Sequence, residues 1–189
     1  PDDQISFFND SAFGIAPELS EIRGYAKALN IKAKPIRQEG LTHLAASGYA
    51  RLAKGPAVLL ADMAPIGPDY LPGHAHADTL SFEMSLFDQR LFVNSGTSIY
   101  GTGPERLRQR GTAAHNTVIV ARRDSSEVWS GFRVARRARI SNVATGEKDD
   151  VLTACATHNG YKRLVNGPLH TRRWTLSSGS LSIEDQLSK

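Results

Sequence analysis

The chain has 189 residues, 40% of them hydrophobic and 22% charged, with a formal net charge of +4. These proportions describe a globular protein with room for one good core and exclude a disordered or fibrous chain. No apolar run approaches the ~20 residues that a membrane-spanning helix needs, no charged-then-apolar leader is present, and the single Cys155 excludes an intrachain disulfide or a cysteine-based zinc site.

Residues 1–38 differ in pattern from the rest and read as the end of a helical domain or a linker. Phe7-Phe8-Asn9-Asp10-Ser11 has the look of a loop, and Pro17 is placed to start a helix. Leu19, Ile22, Ala26 and Leu29 then recur at helical spacing, with Asn30 as a stop. This amphipathic helix finds nothing to pack against within its own segment, as expected if it is part of a larger helical domain.

From Glu39 the hydrophobic period changes to two. Short strands are expected over 41–46, 49–54 and 57–61, a hairpin over 80–87 and 90–94, and further strands over 117–121, 138–144, 151–157, 169–176 and 181–185. Residues 39–189 therefore read as an antiparallel β-sandwich, truncated at its C-terminal end, so the chain as a whole is mainly β with a short N-terminal helical segment. The stretch 95–114 breaks the rhythm with about twenty aperiodic residues, a length that usually means function inside a compact domain. It reads as an active-site wall that delivers His115 and Asn116.

The densest chemistry lies in Gly73-His74-Ala75-His76-Ala77-Asp78. In extended backbone, alternate side chains share a face, so His74, His76 and Asp78 point one way. Such a cluster is where a metal or a proton-transfer site is sought, although paired histidines also occur as plain hydrogen-bonded residues. Two arginine groups, Arg106/Arg108/Arg110 and Arg133/Arg136/Arg137/Arg139, bias the chain toward anionic partners. Few aromatics interleave with them and no nucleic-acid motif appears, so acidic polysaccharide fits better than nucleic acid. Glu83 alternates away from the apolar face and reads as an exposed or cross-strand partner.

Three blocks in this order, Pro72–Asp78, Phe92–Thr97 and Thr112–Val118, resemble the heparinase II/III family, as do Ser125–Trp129 and Phe132–Ala138. The resemblance implies a polysaccharide lyase: an α/α toroid followed by β-sheet domains, cleaving uronic-acid-containing glycans by β-elimination. It implies a bacterial periplasmic or secreted location, and a partner toroid domain that supplies further catalytic groups. His74 matches the catalytic histidine that transfers a proton or neutralises the substrate carboxylate. Tyr100, in the long loop, either faces the sugar or covers the core edge; Arg106 and Arg110 either grip a carboxylate or sulfate with their forked donors or are surface cations; and Trp129 either stacks on a sugar or packs against the sheet. His76, Asn94 and His115 match positions that hold zinc in some members. Asn94 stands where those members have aspartate, which makes it an uncharged and weaker ligand.

Two other readings stand beside this one. The chain can be a non-catalytic glycan-binding or structural β-domain. The pattern His74-x-His76-x-Asp78 also suits a metal-dependent hydrolase, although Thr79 stands where a further histidine belongs and the strand–helix alternation of that class is missing.

Overall fold

The computed structural model describes residues 4–32 and 37–189; parts of the 1–38 segment, residues 1–3 and 33–36, lie outside the described residues. The expected helix forms as α1, Leu19–Ala28. It starts at Glu18, whose side chain and that of Glu21 cap each other's backbone amides in a capping box. Just beyond its end, Asn30 turns to positive φ. None of its residues is buried.

The first sheet is a meander of β1 (Gly40–Leu44), β2 (Tyr49–Lys54), β3 (Ala57–Asp62), β4 (Phe82–Leu86) and β5 (Gln89–Phe92), all antiparallel and in chain order. The β4–β5 turn is Phe87-Asp88 with both residues at positive φ, the mirror-image turn whose twist suits a two-residue hairpin. A two-stranded ribbon follows, β6 (Val128–Trp129) with β7 (Arg133–Val134). The second sheet is β8 (Ile140–Lys148), β9 (Val151–His158), β10 (Leu169–Leu176) and β11 (Leu181–Ser188), ordered β11-β10-β9-β8. Leu52, Leu59, Met63, Leu80 and Phe82 of the first sheet and its flanks meet Leu152, Ala154, Trp174 and Leu176 of the second in one apolar core. This is the expected sandwich, with alternate residues of each strand turned inward. No helix among the described residues is long and apolar enough to cross a membrane.

Two expectations need correction. Residues 117–121 form no strand; only an isolated bridge joins Val120 to Arg123. Here Asn116 takes over a strand's task, its side-chain amide pairing with both the N–H and the C=O of Phe82 at 2.9 and 2.6 Å. The long stretch 95–114 is not aperiodic throughout, because it contains α2, Pro104–Arg110, and a 3-10 turn at Thr112–Ala114. Pro104 opens α2, Glu105 lies in its first turn and Arg108 and Arg110 in its last, all signs of a helix that the four surrounding glycines obscure.

Residues 7–11 do not stay with the helical segment. Their backbone lies along the start of the long loop, with Gly96 N–H donating to Phe7 O at 3.1 Å and Thr97 N–H to Ser11 O at 3.0 Å. Gly96 permits this approach: it holds positive φ, and a Cβ there would collide with the Ser11 carbonyl. Glu83 completes the seam. Of the two expectations for it, exposed or cross-strand partner, exposure fails: Glu83 is buried, and its carboxylate accepts the Phe7 and Asn94 amides at 2.8 and 3.1 Å.

Candidate active site

The alternation expected in 74–78 holds although the segment is a loop. Ala75 and Ala77 turn into a small apolar cluster with Ile66 and Val128, while the three polar side chains turn to Asn9 and Asp10. His74 Nδ1 lies 2.8 Å from Asp10 Oδ2 and His76 Nε2 2.8 Å from Asp10 Oδ1. Asp78 accepts the Asn9 amide at 3.2 Å, and the Asn9 side-chain oxygen accepts the His76 amide at 3.1 Å. Asp10 is the hub of the site. Nothing in its sequence context marks it, since its nearest site partner is 64 residues away; only the fold supplies it.

Arg106 closes the hub from below. Its guanidinium forks onto both Asp10 oxygens, with Nη2 at 2.7 Å from Oδ2 and Nη1 on Oδ1, and also donates to Thr97 Oγ1 and the Gly131 carbonyl. Burial alone would raise the Asp10 carboxyl, but hydrogen bonds from His76, Arg106 and His74 outweigh it and bring the group down to about 2. Asp10 is therefore a carboxylate at any working pH. As an acceptor only, it fixes His74 with its proton on Nδ1 in the neutral ring, leaving Nε2 outward. The His74 side chain is 64% exposed, whereas that of His76 is fully buried.

Around His74 stand two rings: Tyr100, 50% exposed, with its centroid 6.0 Å away, and Phe132 at 6.2 Å. Arg106 lies under both, 5.2 Å from the Tyr100 centroid and 5.3 Å from that of Phe132. His74, Tyr100 and Asp10 open onto a cavity of ≈ 590 Å³, walled on its other side by Ile5, Phe8, Leu44, Tyr49 and Leu60. Tyr49, pushed up by burial and by the charges of Asp62 and Asp78, stays a phenol. Phe132 opens one of the blocks that carry the family resemblance, but nothing in the sequence places it against His74.

The other expected residues divide. Arg106 sits beside His74, but it is buried and turns its guanidinium onto Asp10, Thr97 and the Gly131 carbonyl, so its visible task is to position Asp10. Arg110 is buried, and its guanidinium donates to the carbonyls of Ala75 at 3.0 Å, Ser130 at 3.2 Å and Arg133 at 3.3 Å. Burial, then the neighbouring Arg106 charge, pull it down to about 10, where it is still a cation. Arg110 is a strut beneath the histidine loop, which corrects its assignment as a substrate ligand. Trp129 lines a different cavity.

His76, Asn94 and His115 lie close together, the two imidazole centroids 5.3 Å apart. As a metal shell they fit poorly. Asn94 Oδ1 faces His115 Nδ1 at 2.5 Å and also accepts the Ser95 amide at 3.1 Å, while its amide nitrogen donates to Ser81 Oγ at 3.1 Å. The Asn94 side chain is thus committed to its protein neighbours. Two buried ring nitrogens remain without a sound hydrogen bond, His76 Nδ1 and His115 Nε2. Burial, ahead of smaller effects from Asp78 and His76, lowers His115 to about 4, so its ring is neutral. Two imidazole nitrogens with no carboxylate make an incomplete zinc shell, and among the described residues no group of three or more His, Cys, Asp or Glu is placed to hold a metal ion. The hydrolase reading gains no support from this geometry, because His74 and His76 each give one ring nitrogen to Asp10 and, among the described residues, no group of three His, Cys, Asp or Glu is placed to hold an ion.

The family described as heparinase II/III-like, C-terminal, matches residues 36–189. Among solved structures, the heparan sulfate lyase HepC from Pedobacter heparinus superposes with a TM-score of 0.70 at 16% identity, over 99% of this chain and 30% of that one. A heparinase III gene product superposes with a TM-score of 0.68 at 19% identity, over 97% of this chain and 29% of that one. The chain thus spans under a third of the length of these structures. No curated protein sequence matches it. The matched stretch runs from before the first strand to the last residue and takes in both sheets, the histidine loop and the long loop between them, so the chain belongs to the heparinase II/III-like C-terminal family.

Proposed function

We propose that this chain is the β-domain of a polysaccharide lyase that cleaves a uronic-acid-containing glycan by β-elimination, with His74 and Tyr100 as its proton-transfer groups. The observation that carries the reading is the solvent-facing His74, locked by a buried carboxylate at the mouth of a cavity that Tyr100 shares. In the reaction, a base takes the proton from the carbon next to the uronate carboxylate. A double bond forms as the bond to the glycosidic oxygen breaks, and an acid returns a proton to that oxygen. Negative charge builds on the carboxylate meanwhile and needs donors that are already in place. Nε2 of His74 can take or give a proton, or donate to that carboxylate. The fixed Asp10 charge stabilises the imidazolium whenever it forms.

The domain supplies one wall of this site. A helical toroid, such as the resemblance implies, completes it with further catalytic groups; the uncovered α1 and the apolar wall formed by Ile5, Phe8 and Leu44 suit contact with such a domain. A polymeric substrate fits a periplasmic or secreted location. The test is to incubate a panel of uronic-acid polymers with the chain alone and with a longer protein that joins it to its toroid, following ultraviolet absorbance of the unsaturated product. Absorbance is expected from the longer protein and very little from the chain alone. No absorbance with any polymer, from folded protein, would sink the lyase reading in favour of a glycan-binding or structural domain. Full turnover by residues 1–189 would overturn the shared site.

A further inference from the structure

A second cavity, of ≈ 500 Å³, lies beside the β6–β7 ribbon and is used by nothing described so far. Trp129 forms one side of it and is 54% exposed, while the other tryptophan of the chain, Trp174, is fully buried in the core. Val128, Ala135 and Leu164 give a small apolar surface, and Arg123, Arg136, Arg163, Asp124 and Glu127 supply the polar edge. Arg136 and Glu127 are set parallel, with Nε and Nη2 on the carboxylate at 2.8 and 2.7 Å. Arg163 is pinned by the carbonyls of Ser125, Gly160 and Asp124. The Arg123 guanidinium is exposed and has no hydrogen-bond or ion-pair partner among the described residues.

We infer that this cavity is an acidic-oligosaccharide subsite, separate from the His74 centre and joined to it by the ribbon. An indole face packs against the C–H face of a pyranose ring, in the way that amphipathic aromatics pair one apolar side with polar edges. Sugar hydroxyls need donors and acceptors side by side, and the Arg136–Glu127 pair offers both in fixed positions. Arg123 supplies an uncommitted charge for a carboxylate or sulfate. The Glu127 carboxylate, held by Arg136, can accept from sugar hydroxyls, a donor that a phosphate group does not offer. Trp129 pairs directly with Arg133 across the ribbon, and Phe132, in the intervening turn, packs on His74. A chain of sugars running along the ribbon would therefore engage both places. The choice of an acidic glycan rests on the lyase reading; the built cavity does not.

The test measures binding on the His74→Ala protein, which removes the proposed chemistry and keeps this cavity. The probes for isothermal titration and tryptophan fluorescence are a heparan sulfate hexasaccharide, an alginate hexasaccharide, a neutral cello-oligosaccharide and a single-stranded oligonucleotide. At least one acidic hexasaccharide should bind and perturb the emission, and Trp129→Ala should weaken it about tenfold. Arg123→Ala, at an exposed side chain with no internal partner, should weaken acidic probes severalfold, and more at low salt than at high. Emission from Trp174 reports that each variant remains folded. Unchanged affinity in both variants, equal binding of the neutral probe, or preference for the oligonucleotide would overturn the inference. Failure of the lyase assay together with Trp129-dependent binding would remove the chemistry and leave the subsite standing.

Discussion

Asp10 and Asp185 are held in nearly the same way, and their difference separates chemistry from architecture. Each accepts a forked arginine, Arg106 at Asp10 and Arg172 at Asp185, and each accepts imidazole, two rings at Asp10 and one at Asp185. At Asp185 the imidazole is that of His170, which takes its other hydrogen bond from His158 at 3.0 Å, and His158 in turn accepts the Gly160 amide at 3.1 Å. Every ring nitrogen in that line is used and both rings are fully buried. Arg172 reaches across to the carbonyls of Leu80 and Asn116, so the cluster straps the second sheet to the segment just after the histidine loop. At Asp10 the line stops one step short: His74 presents an unpartnered nitrogen to a cavity. A similar set of residue types makes a strap where its last nitrogen meets a backbone amide, and leaves that nitrogen open to a ligand where it meets solvent.

Removing the last imidazole breaks this comparison most sharply. His74→Ala should cut product formation by about 10²–10⁴-fold, the usual share of a positioned acid or base, and leave the unfolding midpoint unchanged. His158→Ala should do the reverse, lowering the midpoint and sparing turnover at temperatures where the protein is folded. Equal kinetic losses in the two would show that exposure does not distinguish them.

Removing the carboxylates comes next. Asp10→Asn strands the buried Arg106 charge and should cost about 3–5 kcal/mol in denaturant unfolding, with turnover also reduced. Asp185→Asn should cost less, about 1.5–3 kcal/mol, because Asp185 is itself partly exposed and Arg172 keeps the Leu80 and Asn116 carbonyls as acceptors. Turnover per folded molecule should be unaffected.

Acid sharpens the contrast through two other buried rings. Burial holds His115 at about 4, and burial with the nearby His170, Arg163 and Arg172 charges holds His158 at about 3. Unfolded histidine titrates near its ordinary value of about 6.5, so below that pH the unfolded chain binds protons that the folded one refuses. Stability should be full above pH ~6.5 and fall as the pH drops toward 4, on the order of 2–3 kcal/mol for each ring. Midpoints measured across that range check it, and a flat profile would mean that these rings are solvated. Arg110→Lys should cost a smaller amount, about 1–3 kcal/mol for the lost carbonyl contacts, without changing KM. Metal analysis should find well below one zinc per chain, with no change in midpoint on adding a chelator. Stoichiometric zinc would mean that the two free imidazole nitrogens suffice without an aspartate at position 94.

The sequence reading reached the parts that local pattern controls. Period-two runs located every long strand of the sandwich, and the His-x-His-x-Asp spacing foretold a shared direction for three side chains. It missed what depends on distant partners. Asp10 lies in a segment assigned with α1 to another unit, and only the glycine-permitted approach of residues 7–11 to Gly96 brings it under His74. Arg110 and Arg106 look like surface cations in sequence, yet the carbonyls of a folded loop and one carboxylate claim them. Residues 117–121 alternate like a strand, but Asn116 caps the edge of β4 first and ends the pairing. The ribbon of β6 and β7 is too short for periodicity to show.

The central claim is that a buried carboxylate fixes one exposed imidazole so that Nε2 faces the cavity, and long-range proton–nitrogen NMR of the histidine rings tests it most directly. The neutral form of His74 should be the Nδ1–H tautomer in the native protein and should lose that preference in Asp10→Asn. A native His74 with its proton on Nε2, or one indifferent to Asp10→Asn, would contradict the account.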